Sequence, residues 1–496
     1  MSAIREVKVE SGLLRGVPGN NRMFSVFKGI PYAAPPVGGL RWKAPQPVEP
    51  WEGVRMADQY SAIEIQKRQG VDFYTKEFYN NKEEQSEDCL YLNIWTPAES
   101  PDEKLPVMFW IHGGGYVCGY ASEPEFDGEG FCKRGVILVT INYRMQLLGL
   151  LAHPELTAES ETGSSGNYLV QDQIAALKWV SRNIAAFGGD PDNITVFGQS
   201  AGAGSTQAIM TSPLTKGLFK RAILQSGGGL WPHGNARTFM SLKEAEEMGV
   251  SIMKGLGCSS IAEMRKLPAE QILDYMMEQN IRPGLIVDNY VLNDDPSQVI
   301  LDGKNHDIDY MIGCNEDEGQ AFAGTVNTLK ELKEAAEINF GDKTEELLKI
   351  GNVKTDEDAA AFFKTSHRLL SAVHGFAEAQ EENGKEAPYV YFFTRKLPGD
   401  ELGSFHSAEL WFEFETLNRC WRPFTGVDFD LAVAMADYYA NFAKTGNPNG
   451  NGHPEWKPYT KENPVYMELG VTRELKTAEE TPYQKFQKDF FMGRIK

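Results

Sequence analysis

Six runs of apolar and β-branched residues, at 105–112, 136–144, 194–198, 221–226, 308–315 and 388–394, most narrow what this chain can fold into. Each is long enough for a strand buried on both faces and too short for a helix, and helical patterns fall between them. Strands that alternate with helices pair in parallel. The expectation is therefore an α/β fold, a large, mostly parallel central sheet flanked by helices.

Residues 172–187 read as one such helix. Ile174, Leu177, Val180 and Ile184 share one face and Lys178 and Arg182 another, Asp172 is placed to cap the start, and Gly188 follows the end. Over about 325–384 the pattern becomes charged helical sequence without strands, which reads as a cap-like insertion over one end of the sheet. A helix around 431–444 precedes the turn-rich segment 446–454. With 496 residues, 42% hydrophobic content and no internal repeat, the chain can bury a large core and reads as one domain over 1–496 with that insertion inside it.

The formal net charge of −20 is scattered along the chain, which disfavours nucleic acid and anionic membranes as partners. No run approaches a membrane span. The first residues, Met1 to Lys8, hold no apolar core of signal-peptide length, so a cytoplasmic location is expected. Cys89, Cys118, Cys132, Cys258, Cys314 and Cys420 are widely spaced, with no CxxC pair and no Cys/His cluster at ligand spacing. Free thiols, no metal and no cofactor are expected.

Serine is a weak nucleophile at neutral pH, so a serine enzyme needs a rigid mount, a base, a group that orients the base and donors for an oxyanion. Residues 193–197 read as a strand and 201–210 as a helix, and between them lies Gly198-Gln199-Ser200-Ala201-Gly202. The flanking glycines are expected to permit the sharp turn that lifts Ser200 above the sheet, the α/β-hydrolase arrangement. The pattern alone also fits a serine capping a helix. His112-Gly113-Gly114-Gly115 follows the strand at 105–112, and no Walker lysine follows it, so Gly114 and Gly115 are expected to donate to an oxyanion with the N–H of Ala201.

In that fold the acid and then the histidine follow the serine in the chain. The strand at 308–315 opens into a loop that offers Glu316, Asp317 and Glu318, and pattern does not choose among them. Of the later histidines, His367 and His374 sit in a helical stretch and His453 in a turn. His406 lies in a loop between a strand and an apolar helical run, and position favours it. Phe109, Tyr116, Trp231, Phe405 and Trp411 lie near these motifs, as pocket lining or as core.

Together these segments resemble the type-B carboxylesterase and cholinesterase family over nearly the whole chain. The matches include Phe27-Lys-Gly-Ile-Pro-Tyr-Ala-Ala-Pro-Pro-Val37, Glu87-Asp-Cys-Leu-Tyr-Leu-Asn93, the 112–115 loop, Asn142-Tyr-Arg144, Phe187-Gly-Gly-Asp-Pro191 and the Ser200 turn. The family's Gly-x-Asn-x-x-Glu-Gly pattern is met by residues 313–319 and selects Glu318 as the acid. Its histidine precedes a Glu in a loop like that around His406. The resemblance thus implies a catalytic set of Ser200, Glu318 and His406, with Ser226 in support behind them.

Two departures qualify what the resemblance carries. Members commonly have Glu before the nucleophile where this chain has Gln199, which removes a negative charge beside the site and weakens any affinity for cationic substrates. Secreted members bridge the cysteine at position 89 to one upstream, and no cysteine precedes Cys89 here. The activity expected is hydrolysis of small to medium uncharged carboxylic esters through an acyl-enzyme, by a monomer or small homo-oligomer. The alternatives are a binding or adhesion-type protein on the same scaffold, and a hydrolase of amides, thioesters or lactones.

Overall fold

In the computed structural model, β1 (Val17–Pro18), β2 (Ser25–Pro31), β3 (Tyr91–Thr96), β4 (Leu105–Ile111), β5 (Ile137–Ile141) and β6 (Gly189–Gln199) belong to one sheet. β7 (Arg221–Gln225), β8 (Asp309–Asn315), β9 (Tyr389–Phe393), β10 (Val465–Leu469) and β11 (Arg473–Thr477) complete its 11 strands. The structure describes residues 3–66, 72–78, 83–231, 239–322, 326–365 and 367–495. Met1 and Ser2, residue 325 at the head of the expected insertion and the side chain of His367 lie outside that description.

The sheet order is β11-β10-β9-β8-β7-β6-β4-β5-β3-β2-β1. Strands β4 to β10 pair in parallel, while β11 and β3-β2-β1 are antiparallel at the two edges. The six strands expected from apolar runs are all present. The missed ones lie toward the edges, where β10 alternates buried and half-buried residues and β11 reads Arg-Glu-Leu-Lys-Thr, charges that also discourage pairing with another chain.

Along the inner strands successive residues enter two separate cores. Val107, Phe109 and Ile111 of β4 join the core on one face, and Met108 and Trp110 join the one on the other. Burial on both faces is why these strands read as continuous apolar runs.

Helix α1 (Tyr168–Asn183) begins four residues before the expected start at 172 and passes through a 3₁₀ turn, Ile184–Phe187, to Gly188 at φ 82°. Asp172 is no cap. It is buried inside the helix and accepts from Arg144 Nε and Nη2, each at 2.7 Å. Helix α2 (Ala201–Thr211) follows β6. Four helices, α3 (Leu329–Phe340), α4 (Thr344–Ile350), α5 (Asp356–Phe363) and α6 (His367–Glu382), occupy the region read as an insertion. Leu332, Leu348, Val353 and Ala359 form a small core of their own there. Helix α7 (Gly426–Thr445) spans the expected 431–444 helix. Helix α8 (Pro482–Phe491) packs against α6.

The chain leaves β4 toward β5 and leaves β6 in the opposite direction, toward β7. Register places Ile111 beside Gly198 and Gln199 beside Gln225, which in turn faces Gly313. The loops after β4, β6 and β8 therefore emerge together at a reversal of strand order, where open α/β sheets form their binding crevices. Among the described residues no helix is long and apolar enough to cross a membrane, and no group of His, Cys, Asp and Glu side chains is placed to hold a metal ion.

Candidate active site

Ser200 stands between β6 and α2 with φ 56° and ψ −123°, a conformation that costs a residue with a Cβ about 1–3 kcal/mol. The flanking glycines serve a different purpose from the one expected. Neither has a positive φ; the strain falls on the serine itself. A Cβ on Gly198 would lie 2.5 Å from the Gly202 carbonyl oxygen, and one on Gly202 would lie 2.1 Å from that of Ile111. Glycine is needed so that the turn can press against β4. The turn is pinned further by Ser200 N–H donating to the Gln225 carbonyl at 2.8 Å.

Glu318 and His406 meet across the β8 and β9 loops, with His406 Nδ1 at 2.5 Å from Glu318 Oε2. Glu318 Oε1 also accepts from the Asn315 N–H at 2.7 Å. The two neighbouring acids point elsewhere. Glu316 pairs with Lys396 at 2.7 Å, and Asp317 accepts from the N–H and hydroxyl of Ser404 at 2.9 and 3.0 Å, which ties down the loop that carries His406. Burial by itself would lower the His406 pKa, but the charge and hydrogen bond of Glu318, with Glu409 behind, outweigh it and hold the pKa above the ordinary value. His374 is engaged with Glu480 at 3.0 Å and His453 with Asp437 at 2.7 Å.

The other ring nitrogen of His406 faces Gln199, whose Nε2 lies 3.3 Å from His406 Nε2. With Nδ1 donating to Glu318, Nε2 is the acceptor and the amide donates to it. Gln199 thus contributes a donor where a carboxylate would contribute a charge. Ser226 is buried, and its hydroxyl donates to Glu409 Oε1 at 3.4 Å. Burial first, then the charge of Glu318, push the Glu409 carboxyl up to about 7. Sequence reasoning gave no role to Glu409; its place three residues after His406 was the only signal.

The glycine loop closes the other side. A Cβ on Gly113 would lie 3.2 Å from Ser200 Cβ, so loop and serine are in near contact. Gly114 has φ 109°, and a Cβ there would fall 1.9 Å from the Cys118 carbonyl oxygen; Gly115 has φ 64°. Among the described residues nothing accepts a hydrogen bond from the N–H of Gly114, Gly115 or Ala201. Ala201 is also the first residue of α2, where the N–H has no helical partner and the helix dipole favours negative charge.

Two cavities meet at Ser200. Gly115, Ser200, Phe322 and His406 line both. The smaller, about 300 Å³, continues past Gln199 toward Tyr74, Phe78, Val117 and Leu410. The larger, about 630 Å³, runs past Tyr116 and Trp231 to Leu332, Phe340, Leu347 and Phe363 of the helical region. Of the five aromatic residues considered from the sequence, Tyr116 and Trp231 line a cavity, and Phe109, Phe405 and Trp411 are buried core.

The sequence profile of the Carboxylesterase family matches residues 3–487. The chain is 33% identical over 490 residues to the Fumonisin B1 esterase of Sphingopyxis macrogoltabida, covering 92% of this chain and 85% of that protein. It is 34% identical over 478 residues to the Para-nitrobenzyl esterase of Bacillus subtilis (strain 168), covering 92% and 93%. A solved PNB esterase superposes with a TM-score of 0.85 at 30% identity, covering 97% of this chain and 99% of that one.

Proposed function

The chain belongs to the carboxylesterase family, and we propose that it hydrolyses small to medium uncharged esters with Ser200, His406 and Glu318 as its catalytic machinery. That it is a serine carboxylic ester hydrolase follows from the family and from its esterase relatives. The observation that supports these particular residues is the strained Ser200 at the meeting point of two cavities, with His406 on the wall of both and Glu318 at 2.5 Å from its far nitrogen.

In the proposed mechanism Ser200 Oγ attacks the ester carbonyl while His406 Nε2 takes its proton, which requires Gln199 to yield that nitrogen. Glu318 keeps the proton on Nδ1 and stabilises the imidazolium. The oxyanion is received by the N–H groups of Gly114, Gly115 and Ala201, which bind no acceptor among the described residues. His406 then protonates the departing alkoxide, and water, activated by the same base, frees the acid. The mostly apolar cavity walls support uncharged esters of modest size. The enzyme is proposed to act as a monomer or small homo-oligomer.

Labelling with a fluorophosphonate followed by peptide mapping tests the assignment. The expected result is modification of Ser200 alone, much slowed in His406→Ala. Labelling at another residue, or none in folded protein, contradicts it.

A further inference from the structure

The larger cavity ends on a charge for which the described residues supply no carboxylate partner. Arg368 lies in the first turn of α6 and lines the same cavity as Ser200. Its guanidinium sits over the Trp231 ring, 4.9 Å from the centroid, and is open to the cavity. Among the described residues no carboxylate stands within ion-pair distance and no group accepts its hydrogen bonds; the Tyr483 phenol is the one ionisable group that acts on it. The sequence segments 232–238, 323–325 and 366, which adjoin Trp231, Phe322 and Arg368 in the chain, contain no Asp or Glu. An arginine is a cation at any physiological pH.

The remaining wall offers no second fixed charge of this kind. Phe239, Leu285, Phe340, Leu347 and Phe362 are apolar, and Glu318 and His406 at the Ser200 end are paired with each other. Arg368 is exposed to the cavity, so water can solvate the guanidinium when no anion is bound; its planar fork matches a carboxylate, which can replace that water. The first turn of a helix adds positive potential at the same place. Since the net charge of −20 repels anions at long range, an anion bound here is held by this local contact.

The site also indicates which part of an ester reaches it. Gln199, the neighbour of His406 Nε2, lines the smaller cavity and not the larger. His406 lines both cavities, but the amide beside its Nε2 belongs to the smaller one, so we assign the leaving group to the smaller cavity and the acyl part to the larger.

We propose that Arg368 pairs with a carboxylate at the far end of the acyl chain, so that, beside neutral esters, monoesters of dicarboxylic acids are preferred substrates. The proposal rests on the esterase reading above and extends its substrate class from uncharged esters to esters with an anionic acyl end. The reaction remains hydrolysis: water adds, the ester C–O bond breaks, the dicarboxylic acid and the alcohol leave, and Arg368 changes no bond.

The test compares 4-nitrophenyl monoesters of adipic, pimelic and suberic acid with the neutral ω-amides of equal length. A third set carries the carboxylate on the nitrophenol instead. At one chain length kcat/KM for the carboxylate should exceed that for the amide by about tenfold or more, and added salt should shrink the gap. Arg368→Gln should lower the carboxylate value about tenfold more than the amide value, and Arg368→Lys should restore part of the difference.

Three results overturn the proposal: no preference at any length, a preference that survives Arg368→Gln, or a preference seen only when the leaving group bears the charge. Equal losses on both ester sets in Arg368→Gln, without rescue by lysine, show a structural role and overturn it too. If Ser200→Ala leaves ester hydrolysis of the neutral ω-amide compounds intact, the esterase reading fails first and the proposal with it.

Discussion

His406, the proposed base, is the residue whose behaviour is most open to measurement. In the proposed mechanism neutral His406 is the active form, and its pKa is held above the ordinary value of about 6.5 against the opposing effect of burial. The acid limb of kcat/KM should therefore lie above pH ~6.5, with activity present on its alkaline side and lost as pH falls through it. Glu318→Gln removes the charge that raises the pKa, so the limb should move to lower pH while kcat drops. Gln199→Glu places a carboxylate beside Nε2 and should move the limb up by about one unit. A limb that stays in place in both variants contradicts His406 as the titrating group. The turn at Ser200 was legible in the sequence because a strand and a helix could be read on either side of it. Glu318 was not separable by pattern from Glu316 and Asp317, since the three differ in direction alone. That direction is set by the pairing of Asp317 with Phe405, two residues 88 apart (405 − 317) in the chain. Glu409 was illegible for the same reason, as its partners Asn315 and Ser226 come from distant strands.

At the scale of elements, one short helix carries more of the site than its length suggests. Asp72–Glu77 brings Tyr74 and, just beyond it, Phe78 to the smaller cavity, and Tyr74 donates to the His406 carbonyl at 3.1 Å. The helix is held by Glu77, fully buried, which accepts from Arg422 Nε at 2.7 Å, Trp421 Nε1 at 2.7 Å and Trp411 Nε1 at 3.2 Å. Arg422→Met leaves that carboxylate buried without its counterion and should cost about 3–5 kcal/mol of stability, read by urea unfolding. Its KM for esters should rise as the helix loosens. Unchanged stability and KM show that Glu77 does not anchor the wall. None of this was read from the sequence, because the ion pair joins residues 345 positions apart (422 − 77). The inner strands and α1 were legible, since burial on both faces or on one stripe leaves a periodic trace. The start of α1 was not. Asp172 resembles a cap in sequence, and only the approach of Arg144 shows that it belongs to a buried pair.

Over the whole molecule, the sheet supplies the chemistry and the helical region after β8 supplies much of the space. Ser200, Glu318, His406 and the glycine loop all stand at the carboxyl ends of parallel strands around the reversal of strand order. Leu332 and Ala336 of α3, with Leu347 of α4, form part of the far wall of the larger cavity. Ala336→Trp should therefore fill acyl space, lowering kcat/KM for octanoyl esters about tenfold or more while acetyl esters are little affected. Equal effects on both would show that the acyl chain lies elsewhere. The region after β8 could be read from the sequence as helical, because charged helical patterns are local; its part in the cavity wall could not, because that arises only when the chain folds back over Ser200. The central claim is that ester cleavage passes through an acyl group on Ser200. Rapid acid quench of the enzyme with 4-nitrophenyl acetate, followed by intact-mass and peptide analysis, should find one acetyl group on Ser200 in the wild type and none in Ser200→Ala. Acetyl on another residue, or turnover in Ser200→Ala at the wild-type rate, would contradict the account.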